Sequence, residues 1–104
     1  MDRIERLKEF LASNPGDSFV QHALALEYIK LNDDKTAKSL FENILAENEN
    51  YIGSYYHLAK LLERNNELDS AKSVYERGML KAKECGDQHA YNELRSAYEE
   101  NFED

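Results

Sequence analysis

Apolar residues recur along this chain at helical, not alternating, spacing. Ile4, Leu7, Phe10 and Leu11 share one face of a helix predicted over 2–13, with charges elsewhere. Asn14-Pro15-Gly16-Asp17 ends it, because Pro cannot continue a helix and Gly16 accepts unusual dihedrals. From about 18 to 31 the apolar positions (Phe19, Val20, Ala23, Leu24, Ala25, Leu26, Tyr28, Ile29, Leu31) cover more than one face, as in a helix flanked on both sides. Ser18 with Gln21 three residues on reads as its capping box. Asn32-Asp33-Asp34 forms the next turn, with Asn32 tolerating a left-handed conformation and Asp33 or Asp34 capping the helix over 34–47. That helix carries Ala37, Leu40, Phe41, Ile44 and Leu45, and Asn48-Glu49-Asn50 breaks the chain after it.

Helices over 52–64 and 68–84 follow, joined at Asn66, with Glu67 or Asp69 offering negative charge at the start of the second. Gly78 interrupts the second one at a cost of about 1 kcal/mol relative to Ala, which implies close approach of the next helix. Gly86 and Asp87 read as the stop of that helix and the cap of a final one over 86–101. Ala90, Tyr91, Leu94, Ala97 and Tyr98 form its apolar stripe, which Phe102 extends, and the remaining end through Asp104 is expected to fray.

Two stretches of this pattern match in register. Laying 17–50 over 51–84 aligns Leu24-Ala25 with Leu58-Ala59, Tyr28 with Leu62, Asn32 with Asn66, Ala37 with Ala71, and Phe41 with Tyr75. A step of about 34 residues is the period of one helix–turn–helix repeat.

These residues resemble the tetratricopeptide repeat family, whose unit runs W-x2-L-G-x2-Y, then A-x3-F, then P. Ala25 and Ala59 stand in the Gly slot, and Ala37-x3-Phe41 and Ala71-x3-Tyr75 fit the second helix. The Trp slot holds Gln21 and then Tyr55; the closing Pro is replaced by Glu49 and Lys83 but is present one period earlier as Pro15. The resemblance implies an all-α fold of about six helices, antiparallel hairpins stacked into a right-handed superhelix. It divides 1–104 into a leading half-repeat (1–16), two repeats (17–50 and 51–84) and a capping helix (86–101) that covers the last repeat.

Composition narrows the function classes. The 104 residues carry 21 acidic and 13 basic side chains, for a net charge of −8, which argues against a binder of nucleic acid backbones. The acidity serves solubility and also favours a basic or neutral protein partner through steering. The start of the chain lacks the apolar stretch of a signal peptide, and no run approaches a membrane span. A lone Cys85 cannot form an internal disulfide, so a cytoplasmic location is expected.

The family's first helices line a concave groove that holds a peptide or helix of a partner. Carried onto this sequence, the lining is Phe19, His22, Leu26 and Ile29, then Gly53, Tyr56, His57, Lys60 and Glu63, with Tyr91 and Leu94 from the capping helix. Some members clamp a C-terminal carboxylate with Lys, Asn and Arg. Here the matching slots hold His22, Leu26, His57, Asp87 and Tyr91, too little positive charge for that mode. His22 and His57 lie one repeat plus one residue apart, with Glu63 as a third metal ligand to consider, but no further Cys or His completes a zinc set. They read instead as groove-lining donors, with pH sensitivity near neutrality. Cys85 reads as a half-buried filler at a helix C-terminus, and His89 as an exposed residue. No catalytic triad spacing or phosphate-cradling Gly loop occurs, so neither an enzyme nor a cofactor is expected. The expected function is a non-enzymatic protein-binding module. The alternative is a structural repeat protein that self-associates, as a homodimer for instance.

Overall fold

The computed structural model describes residues 2–102; Glu103 and Asp104, expected to fray, lie outside them. Among the described residues the chain is all-α, with six helices: α1 (Arg3–Ser13), α2 (Ser18–Lys30), α3 (Asp34–Glu47), α4 (Gly53–Arg64), α5 (Leu68–Glu84) and α6 (Gln88–Phe102). The helix ends follow from local chemistry. Asp2, Asp17, Asp33 and Asp87 each accept a backbone N–H three residues ahead, from Glu5, Val20, Thr36 and Ala90, at 2.8–3.1 Å. The cap of α2 is therefore Asp17, one residue before the predicted Ser18, and Gln21 is engaged elsewhere. Glu67, at the start of α5, makes no side-chain cap bond.

Three helices end in one device. Asn32, Asn66 and Gly86 have φ of 60°, 65° and 71°, and the following N–H groups of Asp33, Glu67 and Asp87 donate to Tyr28, Leu62 and Ala82 carbonyls at 2.8–2.9 Å. This left-handed closure satisfies carbonyls that a helix end leaves open.

The chain divides into two compact units, Met1–Asn48 and Glu49–Asp104. In the first, α2 packs against both α1 and α3, which accounts for its broad apolar coverage. Leu24, Ala25, Ala37, Phe41 and Ile44 form its centre, all nearly inaccessible. Helix α1 buries no side chain fully; Ile4, Leu7 and Leu11 are half-buried and Phe10 is exposed. The amide of buried Gln21 donates to the Pro15 carbonyl at 3.0 Å, and its oxygen accepts from Asn43 at 3.1 Å.

In the second unit α5 packs against α4 and α6, around Tyr55, Leu58, Ala59, Leu61, Ala71 and Tyr75. The Tyr55 hydroxyl donates to the Glu49 carbonyl at 2.6 Å. This is the bond Gln21 makes in the first unit: donors 21 and 55, and acceptors 15 and 49, stand one period apart. Gly78 is crowded from two sides. A Cβ there would lie 2.7 Å from Tyr55 Cβ and 3.0 Å from Leu94 Cδ1, so the tightest approach comes from α4, with α6, the predicted neighbour, behind it. The rings of Tyr98 and Phe102 stand 6.5 and 6.0 Å from that of Tyr75, and Phe102 thus extends the α6 stripe as its spacing predicts. Cys85 is exposed, not half-buried: it caps α5 where the chain turns at Gly86, and nothing covers it.

Candidate functional site

The side chains expected to line a groove lie partly in the first unit and partly in the second. In the first unit, Phe19, at 72% the most exposed large apolar side chain among the described residues, shares an open depression of about 340 Å³ with His22 and Leu26. Arg3, Ala23, Glu27 and Lys30 complete its lining, and Ile29 lies outside it, half-buried. Its charged lining residues pair with one another, Glu27 holding Lys30 at 3.0 Å and Arg3 at 3.3 Å. The His22 ring sits edge-on to buried Phe41 at 5.4 Å, which fixes its orientation. Phe19 also borders a second depression of about 330 Å³, shared with Leu7, Phe10, Val20, Arg3, Arg6 and Asp17. The apolar spacing of α1 predicts its inward face but not the gap beside it.

In the second unit Lys60 reaches the Glu63 carboxylate at 3.8 Å, and that carboxylate also accepts the hydroxyl of buried Tyr75. Burial first, and then Glu63, holds the Tyr75 phenol protonated well above its ordinary range. The positions one period earlier are Ile29 and Phe41. Where the first helix offers no acceptor, the second carries no hydroxyl. His57 is half-buried, and burial lowers its pKa from 6.5; Glu93 opposes the shift and Arg64 adds to it. Lys83 stands 5.1 Å over the half-buried Tyr91 ring.

Leu94 is a correction to the expected lining: it is buried at 1% exposure, filling the space beside Gly78. Part of the exposed surface of α6 carries His89, Asn92, Glu93, Ser96 and Glu100, with Arg95 beside them paired to Glu99 at 3.2 Å. Together with Ala97 and with Tyr56 of α4 it lines an open depression of about 370 Å³. Only Tyr56 of these was expected at a site. The signal available was the polar spacing of α6 opposite its apolar stripe. Among the described residues no three His, Cys, Asp or Glu side chains converge as a metal would require, and no helix is long and apolar enough to cross a membrane.

A tetratricopeptide repeat model matches residues 28–98. The chain is similar to a tetratricopeptide repeat domain protein from Salinibacter ruber. Its crystal structure is 39% identical, with a TM-score of 0.75, covering 79% of this chain and 91% of that one. A solution NMR structure of such a protein from the same organism is also 39% identical, with a TM-score of 0.77, covering 81% of this chain and 85% of that one. No curated protein matches. The repeat in register, the matched left-handed turns, the family match across most of the chain and these solved structures agree: the chain belongs to the tetratricopeptide repeat family.

Proposed function

We propose that the protein is a non-enzymatic interaction module that binds a peptide segment or helix of another protein. Contacts come from Phe19, His22, Leu26 and Ile29 in the first unit, and from Tyr56, His57, Lys60, Glu63 and Tyr91 in the second. The observation that carries this reading is Phe19: a large aromatic ring, 72% exposed, beside a depression lined by apolar and paired charged side chains. An exposed aromatic over a recess is the arrangement in which interface energy concentrates. Membership of a repeat family whose domains generally bind proteins, and generally lack catalysis, supports it. A cytoplasmic location accompanies this reading, from the lone exposed Cys85.

Selection of ligands from a displayed peptide library on the whole chain, followed by calorimetry, tests the proposal. Phe19→Ala is expected to weaken a selected peptide by about tenfold or more, and Tyr56→Ala and Lys60→Glu to weaken it less. Affinity unchanged in all three rules this surface out. The self-association alternative draws on Phe10 and Leu31, which are also exposed. A concentration-independent monomer in sedimentation equilibrium removes it.

A further inference from the structure

The depression between Tyr56 of α4 and the solvent face of α6 has a composition unlike the others. Its α6 residues, His89, Asn92, Glu93, Ser96 and Glu100, follow i, i+3, i+4, i+7 and i+11 and so form one stripe. Ser96 and buried Ala97 keep the middle of the stripe low, while Glu93 and Glu100 stand about 10 Å apart along the helix axis on either side. The Tyr56 ring supplies an aromatic surface at the same place, and no Lys or Arg lines the recess. The only basic ring, His89, sits 3.4 Å from Glu93. The field of the whole chain, at net charge −8, has the same sign as this recess. At the Phe10–Phe19 depression, by contrast, Arg3 and Arg6 oppose that field.

We propose that this recess receives a Lys or Arg side chain of the bound segment. The cation rests against Tyr56 between the carboxylates of Glu93 and Glu100, with Asn92 and Ser96 offering hydrogen-bond acceptors. Aromatic and carboxylate contacts act on the same charge: the ring quadrupole attracts a cation, and charge-assisted hydrogen bonds to carboxylates are the stronger kind. The inference rests on the interaction-module reading and adds to it the chemistry of the partner, a basic segment.

The test uses the ¹⁵N-labelled full chain titrated with the capped tetrapeptide acetyl-Ala-Arg-Ala-Ala-amide and with its Lys and Gln counterparts. The Arg and Lys peptides are expected to shift the resonances of Tyr56, Glu93, Ser96 and Glu100 most, with the Gln peptide binding about tenfold more weakly. The double variant Glu93→Gln/Glu100→Gln should reduce the Arg peptide to the level of the Gln peptide. Glu42→Gln, which removes an exposed carboxylate on α3, should change nothing. Shifts spread over the acidic surface without a maximum at Tyr56, or Arg binding untouched by the double variant, overturn the proposal. Thermal melts confirm that each variant is folded, and Glu100→Gln alone serves if the pair disturbs α6. A library selection that returns no ligand counts against the interaction-module reading, while the titration decides the recess. Selected peptides that depend on Phe19 but ignore the double substitution remove the recess alone.

Discussion

Replacing Gly78 with alanine sets two effects of opposite sign against each other. In the interior of a helix, alanine is favoured over glycine by about 1 kcal/mol, so propensity alone predicts a more stable protein. The new methyl would sit 2.7 Å from Tyr55 Cβ and 3.0 Å from both Tyr55 Cγ and Leu94 Cδ1. Tyr55 cannot swing aside: its Cβ is fixed to the α4 backbone, its ring lies beneath Arg77 at 5.6 Å, and its hydroxyl is held by Glu49. Relief therefore requires α4 and α5 to separate. Overpacking of this kind costs up to about 3 kcal/mol, which leaves a net loss of about 2 kcal/mol. In a chain of this size that lowers the thermal midpoint by about 10 °C. The assay is thermal unfolding followed by circular dichroism, with Gly16→Ala as control, since a Cβ there meets nothing within 4 Å. A Gly78→Ala protein as stable as the parent, or more so, would refute the close contact.

Three further outcomes follow from the helix ends and from His57. Asp17→Ala should cost about 1 kcal/mol through loss of the α2 cap, and Ser18→Ala no more than about 0.5 kcal/mol, both read by urea unfolding. Asn66→Ala should lose about 1 kcal/mol because its φ of 65° strains a Cβ, whereas Asn66→Gly should hold or gain; equal losses in the two would contradict the left-handed turn. For His57, burial favours the neutral ring, so below about pH 6.5 the unfolded chain takes up a proton before the folded one does. Stability should thus fall as pH drops through that range, and His57→Gln should flatten the fall in urea midpoints measured from pH 7.5 to 5.5.

The helices and turns were legible because each is set by neighbours in sequence. The in-register repeat located α2 to α5 to within about a residue, and Asn32, Asn66 and Gly86 adopt the conformation their positions suggested. The errors have physical causes. Asp17 displaced Ser18 as cap because a carboxylate one residue earlier reaches the Val20 N–H, leaving Gln21 free to turn inward. Leu94 was assigned to a groove although its place in the α6 stripe, three residues before Ala97, already marked it as core. The recess at Tyr56 was invisible because α6 does not repeat the family signature. The family groove carried onto α6 falls on Tyr91 and Leu94, whereas the residues beside Tyr56 are Asn92, Glu93, Ser96 and Glu100, and which helix face meets another is a tertiary fact.

The paired hydrogen bonds of Gln21 and Tyr55 bear on how such chains are redesigned. Letter by letter, an amide and a phenol look like drift from the tryptophan usual in that column. What the column conserves between these two copies is one polar hydrogen delivered to an oxygen six places back. An engineer who averages repeats would see variability and feel free to insert leucine. Doing so would remove the side-chain donor from a carbonyl in each hairpin, while an indole, chemically unlike either resident, would still bring an N–H to it.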